Sequence, residues 1–327
     1  MIAAETKSSL RVAVMGAGAV GSYFGGMLAR AGVSVTLIAR PAHADAIRRD
    51  GLYLDTVSFQ ERVTVEATDS PAGAEGADII LFCPKTLDTE EAAKSIAPYV
   101  APGAIVVSLQ NGVDNAERIE ASSGIDALPT VVYIAVAMPG PGHIKHSGRG
   151  ELVLGESQAR GGIRSAEGRA ERVAALFASA GVPCKVSENI ETDLWTKFIL
   201  NCAGNAVTAI TQLSYGAAGS SVWGREIITH LIDETIALAN ALNVRLPEVN
   251  FVEMGLKFIQ SIGDATSSTA QDLARRKPTE IYSLNGYVVR RGNELGIPVP
   301  INRTVHALVK MLEEKNARRE NPALSAV

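Results

Sequence analysis

The pattern of hydrophobic and polar positions changes once along the chain, near Ser187. Before that point, short apolar runs alternate with amphipathic helical segments, and this alternation predicts the strands and helices of a parallel sheet. After it, almost every segment has the period of a helix, and no strand is predicted. We therefore expect an α/β protein, in which a Rossmann-like doubly wound sheet in residues 1–187 is followed by an all-helical domain in residues 188–327.

The same pattern predicts the individual elements. Buried strands are expected at Leu10–Met15, Val33–Ile38, Ala77–Cys83, Ala104–Leu109 and Val131–Val136, with two short strands within Gly51–Thr68. A turn-rich, glycine-containing hairpin follows, with His143 and His146 in its loop. Later helices are predicted at Arg164–Gly181, Pro247–Ile262 and Pro278–Gly296, the last with Glu280 in its first turn.

One predicted helix, Glu191–Gln212, carries an unusual polar stripe. Lys197, Asn201 and Asn205 fall on one side at helical spacing, while the opposite side is apolar. A surface helix usually shows a broad face rich in charged residues, whereas this segment has a narrow stripe and no acid after Asp193. The stripe has two interpretations: asparagines with structural roles at an exposed edge, or the lining of a cleft that binds a small anionic carbonyl compound.

A glycine-rich segment, G16-A-G-A-V-G21, follows the first predicted strand and precedes a helix. In this context Gly16 permits a tight turn, Gly18 lets backbone amides approach a pyrophosphate, and Gly21 allows close packing of helix and strand. A pyrophosphate would lie on the N-terminus of the helix. The segment predicts a dinucleotide site formed by Gly16, Ala17, Gly18, Ala19, Val20 and Gly21.

Three polar residues follow strands at the edge where an open parallel sheet binds its ligands. Arg40 stands where an acid would hold a free ribose 2′-hydroxyl; a guanidinium pairs with a 2′-phosphate instead, which favours NADP(H) over NAD(H). Lys85 is either a cofactor contact or a solvated lysine. Asn111 either contacts the nicotinamide or substrate, or serves an Asn-Gly turn.

The remaining titratable residues point to no metal chemistry. His143 and His146 have no neighbouring carboxylate or cysteine in the sequence, so we interpret them as structural or exposed. Glu280 either serves the dipole of its predicted helix or, if it reaches a cleft, holds the Lys197 ammonium in place. Cys83, Cys184 and Cys202 show no zinc spacing and are predicted to be buried free thiols, which fits a reducing cytoplasm.

Composition narrows the partners. The 327 residues suffice for two domains, and the net charge of −4 gives no reason to expect binding to nucleic acid or to a membrane surface. No apolar run approaches a membrane span, and no signal peptide is evident at the N-terminus. We expect a cytoplasmic protein with a small-molecule partner. A homodimer stays open, because apolar helix faces serve cores and interfaces alike.

Taken together, these motifs resemble those of the ketopantoate reductase family (2-dehydropantoate 2-reductases). The resemblance runs nearly end to end. It rests on GAGAVGSYFGG at 16–26, Arg40, CPK at 83–85, QNGV at 110–113, WTKFILNCAGNAVTAI at 195–210, SSTAQDL with TEI at 267–281, and LNG at 284–286. Lysine followed by asparagine at four and eight residues is far more specific than the glycine loop.

The resemblance implies NADPH-dependent reduction of a 2-keto acid to a 2-hydroxy acid, by default ketopantoate to pantoate in pantothenate biosynthesis. It implies that Lys197 is the general acid and that Glu280 assists its placement. Asn201, Asn205 and Ser268 would bind the substrate's hydroxyl and carboxylate. Lys85 and Asn111 would position the nicotinamide end of the cofactor, and Arg40 its 2′-phosphate.

Two positions depart from the family pattern. This chain has Ala265 and Tyr215 where some members place further asparagines, so a relative that reduces another branched 2-keto acid is the alternative. A non-catalytic NADPH-binding sensor is a third hypothesis. It is disfavoured, because a sensor has no need of an amine beside the nicotinamide.

Overall fold

The computed structural model describes residues 10–157 and 168–320, and it divides into two compact units, Met1–Asp193 and Leu194–Val327. The expected boundary at Ser187, between a cofactor-binding domain and a helical substrate domain, stays a prediction. The N-terminal lead-in and the first residues of the predicted helix Arg164–Gly181 lie outside the described residues.

The described part of the first unit is built on one mixed sheet. Its central strands are parallel in the spatial order β5-β2-β1-β6-β7-β8; β9 pairs antiparallel with β8, and β3 pairs parallel with β9 and antiparallel with β4. The short β10 pairs with β9. The strands are β1 (Arg11–Met15), β2 (Ser34–Ile38), β3 (Leu52–Asp55), β4 (Gln60–Val63), β5 (Glu66–Thr68), β6 (Ile79–Phe82), β7 (Ile105–Ser108), β8 (Ala127–Gly140), β9 (His143–Leu154) and β10 (Cys184–Val186).

Helices cover both faces of this sheet, which explains why its central strands read as continuous apolar runs. Successive residues of β1 point to opposite sides: Val12 and Val14 belong to one core, and Ala13 belongs to the other. The first core includes side chains of α1, α2 and α5, and the second those of α3 and α4. These helices are α1 (Ala19–Arg30), α2 (Pro41–Asp50), α3 (Thr89–Ile96), α4 (Asn115–Ser123) and α5 (Arg169–Ser179). The predicted doubly wound sheet is confirmed.

The hairpin predicted after Val136 is present, but the prediction of a loop around its two histidines was wrong. Instead of a loop, β8 and β9 form a long antiparallel hairpin, in which both His143 and His146 lie on a strand. The register shifts at three points, and Arg149 at one of them has a φ of 58°. Such bulges let a strand rich in glycine remain paired, although its residues resemble a turn. Gly51–Thr68 likewise contains three strands, not two.

The described part of the second unit contains helices and no strand. They are α6 (Ile190–Thr211, which begins in the first unit), α7 (Tyr215–Ser220), α8 (Val222–Ala241), α9 (Phe251–Ile262), α10 (Ser268–Ala274), α11 (Asn285–Leu295) and α12 (Pro300–Glu320). A single apolar core collects side chains from most of them, including Ile199 of α6, Leu231 of α8 and Val309 of α12. The predicted all-helical second half is confirmed.

Two helix starts differ from prediction for local reasons. α9 begins at Phe251 rather than Pro247, because the Asn250 side chain accepts a hydrogen bond from the Glu253 amide and caps the helix there. Glu280 is not in the first turn of a helix. It precedes a short 3₁₀ turn, Ile281–Ser283, and α11 starts only after Leu284, whose ψ of −108° interrupts helical geometry.

Among residues 10–157 and 168–320, no helix combines the length and the apolar character needed to cross a bilayer.

Candidate functional site

In the first unit, the cofactor residues expected from sequence lie at the carboxyl ends of four strands that are consecutive in the sheet, β7, β6, β1 and β2. Asn111 follows β7, Lys85 follows β6, the glycine loop follows β1, and Arg40 follows β2. Because these strands are parallel, their carboxyl ends meet at one edge of the sheet. Residues separated by more than seventy positions are thereby brought to one edge.

The glycine loop is packed closely against neighbouring backbone at Gly16, whereas the space beside Gly18 is open. Gly16 has a φ of 77°, and a Cβ there would lie 2.6 Å from the Pro84 nitrogen, so only glycine fits. The Gly16 and Ala17 amides both donate to the Ile38 carbonyl. At Gly18, by contrast, a Cβ would meet nothing closer than 3.9 Å. Glycine at 18 therefore leaves a space that no described atom of the chain occupies.

That space adjoins the N-terminus of α1. Gly18 caps the helix without a side-chain hydrogen bond, and the first turn carries no acid. The opening amides of the helix, which include those of Ala19, Val20 and Gly21, are thus presented where an anion binds most readily. A Cβ at Gly21 would lie 2.9 Å from Val14 Cγ1, so that glycine brings helix and strand together. The residues present fit a dinucleotide pyrophosphate.

Arg40 is exposed at the start of α2, and its guanidinium makes no hydrogen bond or ion pair with any described residue. A surface arginine often pairs with a nearby acid, as Arg49 does with Asp50 at the other end of the same helix. The guanidinium of Arg40 is therefore available for a ligand phosphate, which it can bind through two parallel hydrogen bonds.

In the second unit, α6 is one uninterrupted helix, so Lys197, Asn201 and Asn205 lie along one side of it. The Asn189 side chain caps the helix by accepting a hydrogen bond from the Thr192 amide, and Glu191 and Asp193 lie in the first turn. The opposite side is buried: Trp195 is 5% exposed, and Ile199 and Cys202 are fully buried.

Asn205, the last residue of the stripe, is held by several groups. Its Oδ1 accepts a 2.7 Å hydrogen bond from the hydroxyl of Tyr215. Its backbone carbonyl accepts from the hydroxyls of Thr208 (3.1 Å) and Ser267 (3.0 Å). Ser267 is also the cap of α10, since its Oγ accepts from the Ala270 amide. α10 is thereby attached to α6, and Ser268, exposed in its first turn, is placed at a fixed position relative to Asn205.

Glu280 is partly buried, and the segment around it is anchored through its neighbour. The Glu313 carboxylate of α12 accepts from both the amide (2.7 Å) and the hydroxyl (2.6 Å) of Thr279. The Glu280 carbonyl accepts from the Ser283 amide, which closes the 3₁₀ turn. The position of Glu280 thus depends on packing against α12 and not on a helix of its own.

Two family models match the chain. "Ketopantoate reductase PanE/ApbA" matches residues 12–159, and "Ketopantoate reductase PanE/ApbA C terminal" matches residues 189–313. The chain belongs to the ketopantoate reductase family. It is accordingly an oxidoreductase, and NADP(H) is its cofactor.

Individual relatives match nearly the whole length of the chain. A 2-dehydropantoate 2-reductase of Halobacterium salinarum is 32% identical over 93% of this chain and 99% of its own. A PanE/ApbA family ketopantoate reductase of Ralstonia eutropha JMP134, a solved structure, is 48% identical with a TM-score of 0.86 and covers 94% of this chain and 100% of its own. D-mandelate dehydrogenase, solved with NADH and anilino(oxo)acetate, is 23% identical with a TM-score of 0.85 over 94% of this chain and all of its own, and shows a shared fold.

Two buried residues that hold the predicted cofactor-binding segments of the first unit in place were not identified from the sequence. The first is Gln110, which is 6% exposed. Its amide nitrogen donates to the Pro84 carbonyl (3.0 Å) and the Thr89 hydroxyl (2.9 Å), and its oxygen accepts from Ser108. Gln110 therefore ties the segment bearing Lys85 to the segment bearing Asn111, and losing it would leave buried groups unpaired at a cost of about 1–3 kcal/mol.

The second is His43, which is 5% exposed on α2. Its ring bonds Ser22, which in turn donates to the carbonyl of Ala17 in the glycine loop. Gln110 could have been identified from its position alone, because it precedes Asn111 at the end of a strand. No sequence signal marks His43, whose partners lie on α1 and in the β8–β9 turn.

The contacts of the two histidines of β9 indicate structural roles. The ring of His146 stacks on Tyr23 with centroids 4.6 Å apart, and its Nε2 bonds the Arg149 carbonyl. The ring of His143 lies 5.0 Å from that of Tyr53, and its Nε2 is 3.7 Å from the Asp55 carboxylate. The three cysteines are free, as predicted, but only Cys202 is fully buried, whereas Cys83 and Cys184 are half-buried. Burial raises the pKa of all three thiols, so each stays protonated.

Proposed function

We propose that the chain reduces a 2-keto acid to the 2-hydroxy acid with NADPH, and that its substrate is ketopantoate, which becomes pantoate in pantothenate biosynthesis. The observation that carries the proposal is the polar side of α6. There, one amine and two amides recur at four-residue spacing on a helix whose other side is buried. An amine offsets a substrate carboxylate and supplies a proton; the amides supply hydrogen bonds.

In this proposal, residues 1–187 bind the cofactor and residues 188–327 carry the substrate groups. Arg40 binds the 2′-phosphate, the amides after Gly18 bind the pyrophosphate, and Lys85 and Asn111 position the nicotinamide end. NADPH, when bound, supplies the hydride. The preference for NADPH over NADH rests on Arg40, because no carboxylate stands at that strand end to hold a free 2′-hydroxyl.

The proton comes from Lys197. As the keto carbon is reduced, negative charge develops on the keto oxygen, and the Lys197 ammonium both stabilises that charge and donates a proton to it. Glu280 holds the ammonium in place. Asn201, Asn205 and Ser268 bind the substrate's hydroxyl and carboxylate, so that the keto carbon is oriented before the reaction.

The test is a comparison of kcat/KM for several 2-keto acids with NADPH and with NADH. The panel includes ketopantoate, 2-ketoisovalerate (which lacks only the hydroxymethyl group of ketopantoate), pyruvate and phenylglyoxylate. We expect ketopantoate with NADPH to give the highest value, and 2-ketoisovalerate to lose the contribution of the hydroxyl group. A hydrogen bond to that hydroxyl is worth about 0.5–1.5 kcal/mol, or roughly a threefold to tenfold difference in kcat/KM.

The other outcomes separate the alternatives. If ketopantoate were among the poorest substrates while a bulkier 2-keto acid was turned over well, the chain would be a related reductase with a different substrate. If none of the acids were reduced although NADPH bound, the chain would be a cofactor-binding sensor. Cytoplasmic location and a homodimer stay predictions, which fractionation of cells and analytical ultracentrifugation would test.

A further inference from the structure

Tyr215, one of the two positions at which this chain departs from the family pattern, contacts Asn205. Tyr215 opens α7 and Asn205 lies on α6, and the two side chains are 9% and 4% exposed. The phenol donates to Asn205 Oδ1 over 2.7 Å. The hydrogen bond is therefore formed inside the protein, where water does not compete for either partner.

The Tyr215 ring has little freedom to leave this position. Its backbone amide donates to the Ala265 carbonyl over 3.0 Å, so the backbone at 215 is fixed to the segment before α10. The ring lies against the backbone of α6 at Gly204, where a Cβ would be only 2.7 Å from a ring carbon. The backbone hydrogen bond and the contact with Gly204 together hold the hydroxyl where it meets Asn205.

This contact decides which way the Asn205 amide faces. A carboxamide has one accepting end and one donating end, and the two are nearly alike in size, so only the hydrogen-bond partners set its orientation. Burial raises the pKa of Tyr215, so its hydroxyl keeps the proton that it donates to Oδ1. The other end, Nδ2, has no hydrogen-bond partner among the described residues and is not one of the fully enclosed polar atoms.

The backbone of Asn205 offers a ligand nothing further, because the hydroxyls of Thr208 and Ser267 already occupy its carbonyl. The two N–H groups of Nδ2 are therefore the hydrogen-bonding groups of Asn205 that remain available to a ligand. A donor of this kind binds a carboxylate or carbonyl oxygen, and its bond to an ionised oxygen is about twice as strong as one between neutral groups.

We propose that Tyr215 is a positioning residue that makes Asn205 a hydrogen-bond donor only, so that this position recognises an oxygen acceptor of the 2-keto acid and not a donor group. The inference rests on the proposed function, since it concerns the substrate of that same site. It also gives the departure at position 215 a role: the tyrosine fixes the polarity of an amide that would otherwise turn to suit either kind of group.

The test is a double-mutant cycle of Tyr215→Phe and Asn205→Ala with steady-state kinetics on the full chain. Phenylalanine keeps the ring against Gly204 and removes only the hydroxyl. With Asn205 present, we expect Tyr215→Phe to raise the KM for the 2-keto acid about fivefold, with kcat and the KM for NADPH little changed. In the Asn205→Ala background, the same change should have no further effect on KM, because there is no amide left to orient.

A matched control separates positioning from stability. Thr235→Val removes another buried hydroxyl of the second unit, which lies on α8 and donates a 2.7 Å hydrogen bond to the Leu231 carbonyl of the same helix. It should lower the midpoint of thermal unfolding about as much as Tyr215→Phe while leaving the KM for the 2-keto acid unchanged.

Two results would overturn the inference and leave the proposed function intact. One is an unchanged KM in Tyr215→Phe, and the other is an equal rise in KM in both the Asn205 and Asn205→Ala backgrounds, which would indicate a general loss of packing. Failure of the unmodified chain to reduce any 2-keto acid would remove the proposed function, and this inference with it.

Discussion

His43 Nε2 lies 2.9 Å from Ser22 Oγ, and together the two residues connect the glycine loop to the turn of the β8–β9 hairpin. The Gly142 amide donates to His43 Nδ1 over 2.9 Å, so Nδ1 carries no proton. Nε2 then holds the proton and donates it to Ser22, whose own hydroxyl donates to the Ala17 carbonyl over 3.0 Å. Each hydrogen in this chain of contacts has one acceptor, and the network requires a neutral imidazole.

Because the network requires a neutral His43, lowering the pH should reduce the free energy of unfolding. Burial lowers the pKa of His43 below its usual value of 6.5, so the unfolded chain takes up a proton more readily than the folded one. Stability from this group is complete above about pH 6.5 and is lost as the pH falls through the lowered pKa. A proton on Nδ1 would also face the Gly142 amide, donor against donor.

The measurement is the free energy of unfolding in urea between about pH 7.5 and pH 5. The wild-type chain should lose more stability over this range than His43→Gln, which cannot take up the proton. His230→Gln, at an exposed position of α8, is the control and should follow the wild type. Identical pH dependence in all three proteins would contradict the role of His43.

Gly16 and Gly18 should respond in opposite ways to the same substitution. Gly16→Ala brings a Cβ to 2.6 Å from the Pro84 backbone at a φ of 77°, and should destabilise the fold by more than about 2 kcal/mol. The methyl group of Gly18→Ala meets no described atom closer than 3.9 Å apart from its neighbours in the chain, and the φ of −82° suits alanine. The stability of this variant should change by less than about 0.5 kcal/mol.

The effect of Gly18→Ala should appear in cofactor binding instead of in stability. If the open space at Gly18 receives the pyrophosphate, the added methyl group should weaken NADPH binding at least about tenfold, although the protein remains stable. Thermal unfolding and NADPH titration by fluorescence measure the two effects separately. A Gly18→Ala protein with unchanged affinity for NADPH would show that the cofactor does not use this space.

Arg40→Asp tests the choice of cofactor. Replacing a guanidinium that has no partner among the described residues by a carboxylate removes the forked phosphate contact and adds repulsion, so the KM for NADPH should rise about 10- to 100-fold. The KM for NADH, which lacks the phosphate, should change far less. Arg49→Asp, at the other end of α2, makes the same change of charge and is the control. Equal losses with both cofactors would refute the phosphate contact.

Lys197→Ala tests the proton donor. Removing a general acid should lower kcat by about 10²- to 10⁴-fold. NADPH affinity should change little, because the residues proposed to bind the cofactor belong to the other unit. Lys257→Ala, which removes an exposed ammonium paired with Glu253 on α9, is the control and should keep full turnover. A protein that kept its turnover without Lys197 would need another source of the proton.

Sequence predicted the elements whose cause is local. The strand before Gly16, the helix after Gly18 and the polar side of α6 each follow from residues within one short segment, since period and turn chemistry act between near neighbours. The errors occurred where a distant partner decides. The β8–β9 hairpin is a strand pair despite its glycines, because β3, β8 and β10 all pair with β9. Glu280 lies outside a helix, because Glu313 holds Thr279.

The sequence by itself determined that this chain pairs a dinucleotide-binding sheet with a helical unit bearing one amine and two amides on one side of a helix. Only the tertiary structure decided how those groups are held and oriented: His43 is bonded to Gly142, Gln110 to Pro84, and Asn205 to Tyr215 and Ser267. The physical reason is that a hydrogen bond needs two atoms within about 3 Å and well aligned. For side chains far apart in sequence, packing of the whole unit fixes that geometry.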